Sequence, residues 1–250
     1  MISIIAILTG VALPSMKNIG KSNTLAAANT QLVDDLNQAR QTAIARRTVV
    51  HVFFVPNFFQ QGIASYNTKN DANDKLANRL LSGAFTTYTI FAERSVGDQP
   101  GQSHPRYLRG GEWKSLPDGV FIWPAKFTAV TAPVWDSYVI PGSSGNTNRP
   151  FKQSLFPYPT ATGKDIKLPH ISFSPSGSLI TYDSNFNPVN PQDEYIPLSR
   201  GSILAVRDDN GVMIDLDVRE APIGTAVDNP NIIHIDAFSG RSRLERPEIQ

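Results

Sequence analysis

The chain has 250 residues, 40% of them hydrophobic and 18% charged, with 23 basic against 22 acidic side chains and a formal charge of +1. That apolar content suffices for a packed core, and the balanced charge provides no bulk attraction to nucleic acid or to an anionic membrane surface. The absence of cysteine excludes thiol catalysis, thiolate metal sites and disulfide staples.

Residues 1–47 read as one long helix in two parts. The first, MISIIAILTGVALP, belongs to a stretch without charge from Met1 to Met16. Ile2, Ile4, Ile5, Ile7, Leu8, Val11, Leu13 and Pro14 make it a candidate membrane and filament helix. At 1.5 Å per residue such a run covers roughly 21–24 Å, short of the ~30 Å of a bilayer core. Three readings compete: a buried core helix, a signal peptide, and the back half of a transmembrane helix whose front half lies upstream of Met1. There is no basic n-region and no convincing small-x-small cleavage site, so the signal peptide is disfavoured. The third reading is the expectation. Pro14 lacks an N–H and clashes with the preceding turn, so a kink is expected there. In the second part Leu25, Ala28, Leu32, Leu36, Ala39 and Ala43 recur at steps of three and four, with Val33 and Ile44 beside the stripe. Asp34, Asp35, Asn37, Gln38, Arg40 and Gln41 fall mostly on other faces. Arg46 and Arg47 suit the negative end of the helix dipole.

Beyond residue 55, proline and glycine become frequent and short strands with many turns are expected. Thr48–Val55 (TVVHVFFV) is β-branched and aromatic, a strand. Residues 60–82 are polar, with a short helix around Asp71–Leu81. Thr86–Glu93 is a second strand. A polar loop is expected over 95–119, then a short strand, Val120–Trp123. Residues 141–165 read as a long exposed loop, of the kind that carries function or motion. Ile171–Ser174 and Ser178–Tyr182 form a hairpin around Pro175-Ser176-Gly177. Ser202–Arg207 and Val212–Arg219 form another around Asp208-Asp209-Asn210-Gly211. Its second arm alternates Ile214, Leu216 and Val218 with Asp215, Asp217 and Arg219, so one face should be buried. Ile232–Ala237 is a last strand, followed by SGRSRLERPEIQ.

Chemistry-bearing patterns are sparse. His51, His104, His170 and His234 show no metal-ligand spacing; His51 and His234 fall in strands, where structural roles are expected. Asp215-x-Asp217 could hold a hard cation, but the solvated face of an alternating strand explains it better. Asp208–Gly211 lacks the spacing and the terminal Glu of a calcium loop and reads as a tight turn. Pro141–Gly145 is no nucleophile elbow. Trp113, Trp123 and Trp135 read as core or loop anchors. No cofactor and no metal site is expected.

The first 47 residues resemble the N-terminal helix of type IV pilin-like proteins, entered partway in. Ile4-Ile5-Ala6-Ile7-Leu8 and Ala12-Leu13-Pro14 carry the likeness. Leu36, Ala39, Arg40, Ala43, Ile44, Arg46 and Val49-Val50 resemble the GspH/FimT group of minor pseudopilins and minor pilins. Phe173-Ser174-Pro175-Ser176-Gly177 and Gly240-Arg241-Ser242-Arg243 match its C-terminal turn and late Gly-Arg-x-Arg. Residues 56–165 match nothing comparable and look like an insertion. The resemblance implies an α+β fold: a long helix, 1–47, kinked at Pro14 and packed on an antiparallel β-sheet head, 48–250. It implies a non-catalytic subunit of a pseudopilus of type II secretion, whose partners are other pilins or pseudopilins, the inner membrane, and a prepilin peptidase acting on the full-length precursor. The implied location is the bacterial inner membrane, single-pass, with the head in the periplasm. The peptidase site and the early Glu of the family are expected upstream of Met1. In the alternative, a minor type IV pilin binds DNA or a surface through Gly240–Arg243, with Arg241, Arg243 and Arg246 as contacts. Glu245 and Glu248 favour a solvated, neutralised strand end instead. A membrane-tethered enzyme with its site in loops 95–165 is the outside reading. It requires a deep pocket with perturbed titratable groups in that region.

Overall fold

A computed structural model of the chain describes residues 2–59, 72–94, 105–108, 112–127, 150–182, 188–189, 191–209, 213–224 and 231–245, with side chains from Thr24 onward apart from 182, 188 and 189. The expected fold class, α+β with a long pilin-like helix on one antiparallel sheet, is corrected. Among residues with placed side chains, strand makes up 44% and helix 23%, in two short pieces, and the strands form two curled half-barrels. Helical backbone α1 is assigned over Ile2–Arg46, but only residues 24–46 are placed with side chains. Ile2 to Pro14, including the expected kink, lie outside that set.

The larger sheet has eight strands. Six follow the order β3 (Arg106–Tyr107), β2 (Thr87–Ala92), β1 (Val50–Phe54), β7 (Lys164–Phe173), β8 (Leu179–Tyr182) and β9 (Pro188–Val189). Two more attach at its sides: β4 (Lys114–Ser115) to β2, and β6 (Lys152–Tyr158) to β7. The second sheet has five strands. They are β11 (Met213–Glu220), β10 (Glu194–Arg207), β12 (Asn231–Ile235) and β13 (Ser242–Glu245), with β5 (Val120–Ile122) also on β10. Helix α2 (Ala72–Leu81) fills the short-helix expectation.

Strand β1 is buried at every position, because both of its faces are covered. On one face the Tyr88 hydroxyl, beside Phe54, donates to Asp35 of α1 at 2.7 Å. On the other, His51 and Phe53 meet Phe156 of β6 at ring distances of 4.8 and 4.4 Å. The helix buries Ala28, Leu32, Leu36, Ala39 and Ala43 against this core, the face that the spacing indicated. Its polar residues do more than face water. Asp35 is buried, accepts Lys114 Nζ at 2.9 Å on both oxygens, and ties α1 to β4. Asn29 and Asn231 hydrogen-bond through their side chains, tying the helix to β12. The helix ends with Arg47 at φ 51°, the left-handed cap position, while Thr48 N donates to Ala43 O.

Among the described residues no helix is long and apolar enough to cross a membrane. This overturns the expected single-pass anchoring in the inner membrane. The charge-free stretch is short, and the helix beyond it is amphipathic, with charged side chains at Asp34, Asp35, Arg40 and Arg46. One loop expectation and one strand-face expectation are corrected as well. Most of 150–165 is strand, because β6 pairs with β7 from Lys152↔His170 to Tyr158↔Lys164. The second hairpin buries only Leu216 of its expected apolar face; Ile214 is exposed and Val218 half-buried. Much of 95–119 and of 128–149, with His104 and Trp135, lies outside the described residues.

Candidate functional site: a junction of helix and two turns

Three separated segments meet at Arg40. Its Nε donates to Gly177 O at 3.2 Å and also to Ser239 O. The first acceptor ends the Phe173–Gly177 turn, where Gly177 N donates to Ser174 O at 2.8 Å and Ser174 N to Ser178 O at 2.9 Å. The second lies in the 236–241 turn, closed by Gly240 N on Asp236 O at 2.8 Å. Leu179 N donates to Ala237 O at 2.9 Å and couples the turns to each other. On the same side of the helix, Asn37 Oδ1 accepts Ser242 N at 3.2 Å.

Both turns need glycine for two reasons. Gly177 and Gly240 have φ of 87° and 62°, where a Cβ is strained. A Cβ on Gly177 would also fall 2.6 Å from Ile44 Cδ1, and one on Gly240 would fall 2.0 Å from Gly177 O. The two turn backbones touch each other, and both lie against the Arg40 side chain of the helix, with Ile44 packed on Gly177. Asp236 steadies the second turn by accepting Ser239 N at 2.7 Å. Hydrogen bonds from Ser239 hold this carboxyl below its ordinary pKa.

Beyond the junction, Arg241 and Arg243 are exposed, with Ser242 buried between them. Their i, i+2 spacing puts them on one side of the strand, as the sequence indicated. Arg243 pairs with Glu245 at 3.3 Å, the neutralising partner expected there. The Arg241 guanidinium has no hydrogen bond among the described residues, and Arg246 lies outside them. Behind Arg243, His234 stacks on Tyr195 at 4.6 Å, meets Asp193 at 2.9 Å through Nε2, and lies 3.3 Å from Glu245 through Nδ1.

Several of the other described ionisable groups are held in pairs or buried. His51 lies between Ser172 Oγ at 2.7 Å and Glu93 at 3.0 Å. This outwardly resembles a nucleophile–base–acid relay, yet Ser172 and His51 are both buried within the paired strands β1 and β7. A substrate has no route to the hydroxyl. His170, 5.6 Å from His51, is pulled down to about 3 by burial and by its neighbour's charge, so it stays neutral. Burial likewise raises the Tyr107 phenol, which donates to Pro157 O. Asp217 pairs with Arg219 at 2.8 Å and Asp215 accepts Asn57 at 3.2 Å. No group of three or more metal-ligating side chains occurs among the described residues. An open cleft of about 600 Å³ lies between Arg79–Gly83, Ser115–Phe121 and Gly201–Ile203. Its ionisable lining is Arg79 and Asp118, and neither His170 nor Tyr107 reaches it.

Of the residues expected to matter, Arg241 and Arg243 are together and exposed. Arg40, Gly177 and Gly240, previously only motif positions, prove to be the structural centre. Asp35 and Asn37 read only as polar positions off the apolar stripe, and Asn29 and Lys114 carry no signal, because their partners are far away in sequence. Lys126 carries none either; it is buried, pairs with Glu194, and sits 5.1 Å over the Phe151 ring. No protein-family model, curated protein or solved structure matches the chain.

Proposed function

We propose that the chain is a non-catalytic subunit of a pilus or pseudopilus, in the manner of a minor pseudopilin of type II secretion, built into its assembly through helix α1. One observation carries this reading. The three segments that resemble the GspH/FimT group are far apart in sequence, and they converge on Arg40, Gly177 and Gly240. Convergence of this kind is expected when a motif set specifies how a head is seated on its helix. The head then presents its outer strands to neighbours while the helix enters the filament.

The test is made in the source bacterium with the full chain tagged at its C-terminus. The tagged chain should co-sediment with sheared filaments, and deletion should reduce either piliation or export of secreted protein. Absence from the filament fraction, with both processes intact after deletion, sinks the proposal.

The exposed Arg241–Arg243 pair, in which the Arg241 guanidinium has no hydrogen bond among the described residues, supports a second reading as a DNA-contacting minor pilin. Fluorescence anisotropy with duplex DNA separates the two. Binding that weakens in Arg241→Ala and Arg243→Ala, with a reduced salt slope, favours DNA capture. No binding at physiological salt leaves the secretion reading alone.

A further inference from the structure

Strand β10 is 14 residues long, and the two edges of its second half are treated differently. Main-chain N–H and C=O groups alternate sides along a strand, so two hydrogen bonds fix which residues face which way. Ala221 N donates to Arg200 O at 2.9 Å, which turns Arg200, and after it Ser202 and Leu204, toward β11. Gly201 N donates to Gly119 O at 3.0 Å on the opposite side, the side of β5. Ile203 and Ala205 follow Gly201 and direct their main-chain groups to that same side. Strand β5 pairs no further than Val120 with Arg200, and the chain before it turns back, with Val120 N on Pro117 O at 3.2 Å. Among the described residues no strand continues the track beside Ile203 and Ala205. The open cleft begins here, with Ser115–Phe121 on one side, Gly201–Ile203 on another, and Arg79, Ser82 and Gly83 between them.

Several other outer strands are shielded. Strand β6 contains Pro157, and β3 and β4 are two residues long. Strand β13 carries Arg243 and Glu245. On β11 the N–H of Leu216, which faces away from β10, is taken by the Asp215 carboxylate at 2.8 Å. Proline, charge, brevity and covered donors all keep an edge from accepting another strand. The stretch Ser202–Val206 (SILAV) has neither proline nor charge.

We propose that β10 accepts a strand here: an extended segment of a partner protein that enters the cleft beside Gly119 and pairs with Ile203 and Ala205. Each of these residues presents one donor and one acceptor, enough for about four main-chain hydrogen bonds. What flanks the edge sets the chemistry of the partner. On the outer face incoming side chains lie beside Leu204 and Val206, 51% and 39% exposed, and apolar residues gain most there. At the cleft they meet the hydroxyls of Ser82, Ser115 and Ser202 and one charge of each sign, Arg79 and Asp118. A lining without net charge suits uncharged polar side chains. The partner segment therefore alternates apolar with uncharged polar residues. This acceptor edge goes beyond the filament reading and does not depend on it.

The alternation of the strand supplies the test. Ala205 directs its N–H to the open edge, so Ala205→Pro removes an edge donor and spares the ladder between β10 and β11. The probe is a fluorescein-labelled peptide of alternating threonine and valine with serine at both ends, titrated against the full chain by fluorescence anisotropy. Saturable binding is expected, at least tenfold weaker in Ala205→Pro, and lost when every peptide nitrogen of the probe is methylated. Circular dichroism and the urea midpoint of Ala205→Pro should match the natural chain. Hydrogen exchange by NMR on the natural chain needs no variant. The Ile203 and Ala205 amides should exchange fast alone and slowly with the peptide, while those of Ser202 and Leu204 stay protected throughout. No saturable binding, binding indifferent to Ala205→Pro or to methylation, or no peptide-dependent protection of Ile203 and Ala205 overturns the proposal. Self-association of the natural chain that Ala205→Pro removes also overturns it, because a second copy would then occupy the edge.

Discussion

The junction at Arg40 and the ribbon of β10 and β11 are both built from antiparallel strands, and reach opposite results. At the junction the helix and the two turns are tied by several hydrogen bonds. The helix, the Phe173–Gly177 turn and the 236–241 turn exchange hydrogen bonds, and a single added Cβ would collide with backbone. On the ribbon, one face packs Ile203, Leu216 and Val218 against the core, while Leu204 and Val206 on the other face are exposed. Buried polar groups without partners are costly, so a packed junction must be complete. The exposed face of the ribbon has no such constraint. Stability should therefore respond far more to the junction than to that face.

The largest effect should come from breaking the junction at its tightest point. Gly240→Val combines a strained φ with a clash into Gly177 O, and should cost about 3–4 kcal/mol in urea denaturation. Next, Arg40→Ala removes a charged donor from two carbonyls and should cost about 2–3 kcal/mol. A loss under about 0.5 kcal/mol in either variant would mean that the turns are held without the helix.

The interior also predicts a pH dependence that the ribbon does not share. His170 titrates near 3 when folded, against an ordinary 6.5. Its folded pKa is depressed, so the unfolded chain binds more protons between those values. The contribution is fully present above about pH 6.5 and is lost as pH falls toward 3, by up to about 1.4 kcal/mol per pH unit. His170→Phe, placed among Phe53 and Phe156, should flatten that part of the stability-against-pH curve. An unchanged slope would assign the dependence to other groups. The smallest effect on stability belongs to the ribbon. Leu204→Ser should change unfolding free energy by less than about 0.5 kcal/mol in urea denaturation. A large destabilisation there would show that the ribbon belongs to the core and would erase the contrast.

Much of the local structure was legible. The apolar stripe from Ala28 to Ala43, the helix near residues 72–81, the hairpin at Gly177 and the strands around Val50, Thr87 and Ile232 all follow from periodicity and turn residues. What failed shares one cause. The segment Lys152–Tyr158 contains Pro157 and adjoins Pro159, and so reads as a loop, yet β7 supplies it with a ladder of partners. Ile214 and Val218 alternate as a half-buried strand should, but nothing packs over the ribbon to cover Ile214. Asp35 reads as a solvated helix residue until Tyr88 and Lys114 arrive from β2 and β4.

By itself the sequence determined which residues can form helix, strand and turn, because those preferences act over a few neighbouring residues. It also determined that thiol chemistry is absent and that Gly177 sits in a turn. Only the tertiary structure decided that there are two curled sheets rather than one, that Arg40 is the point where three motifs meet, and that Leu204 and Val206 are left exposed on β10. Those outcomes depend on contacts such as Asn29 with Asn231, 202 residues apart. A pairing over that separation is selected by the burial and hydrogen bonding of the whole chain, and no local pattern encodes it.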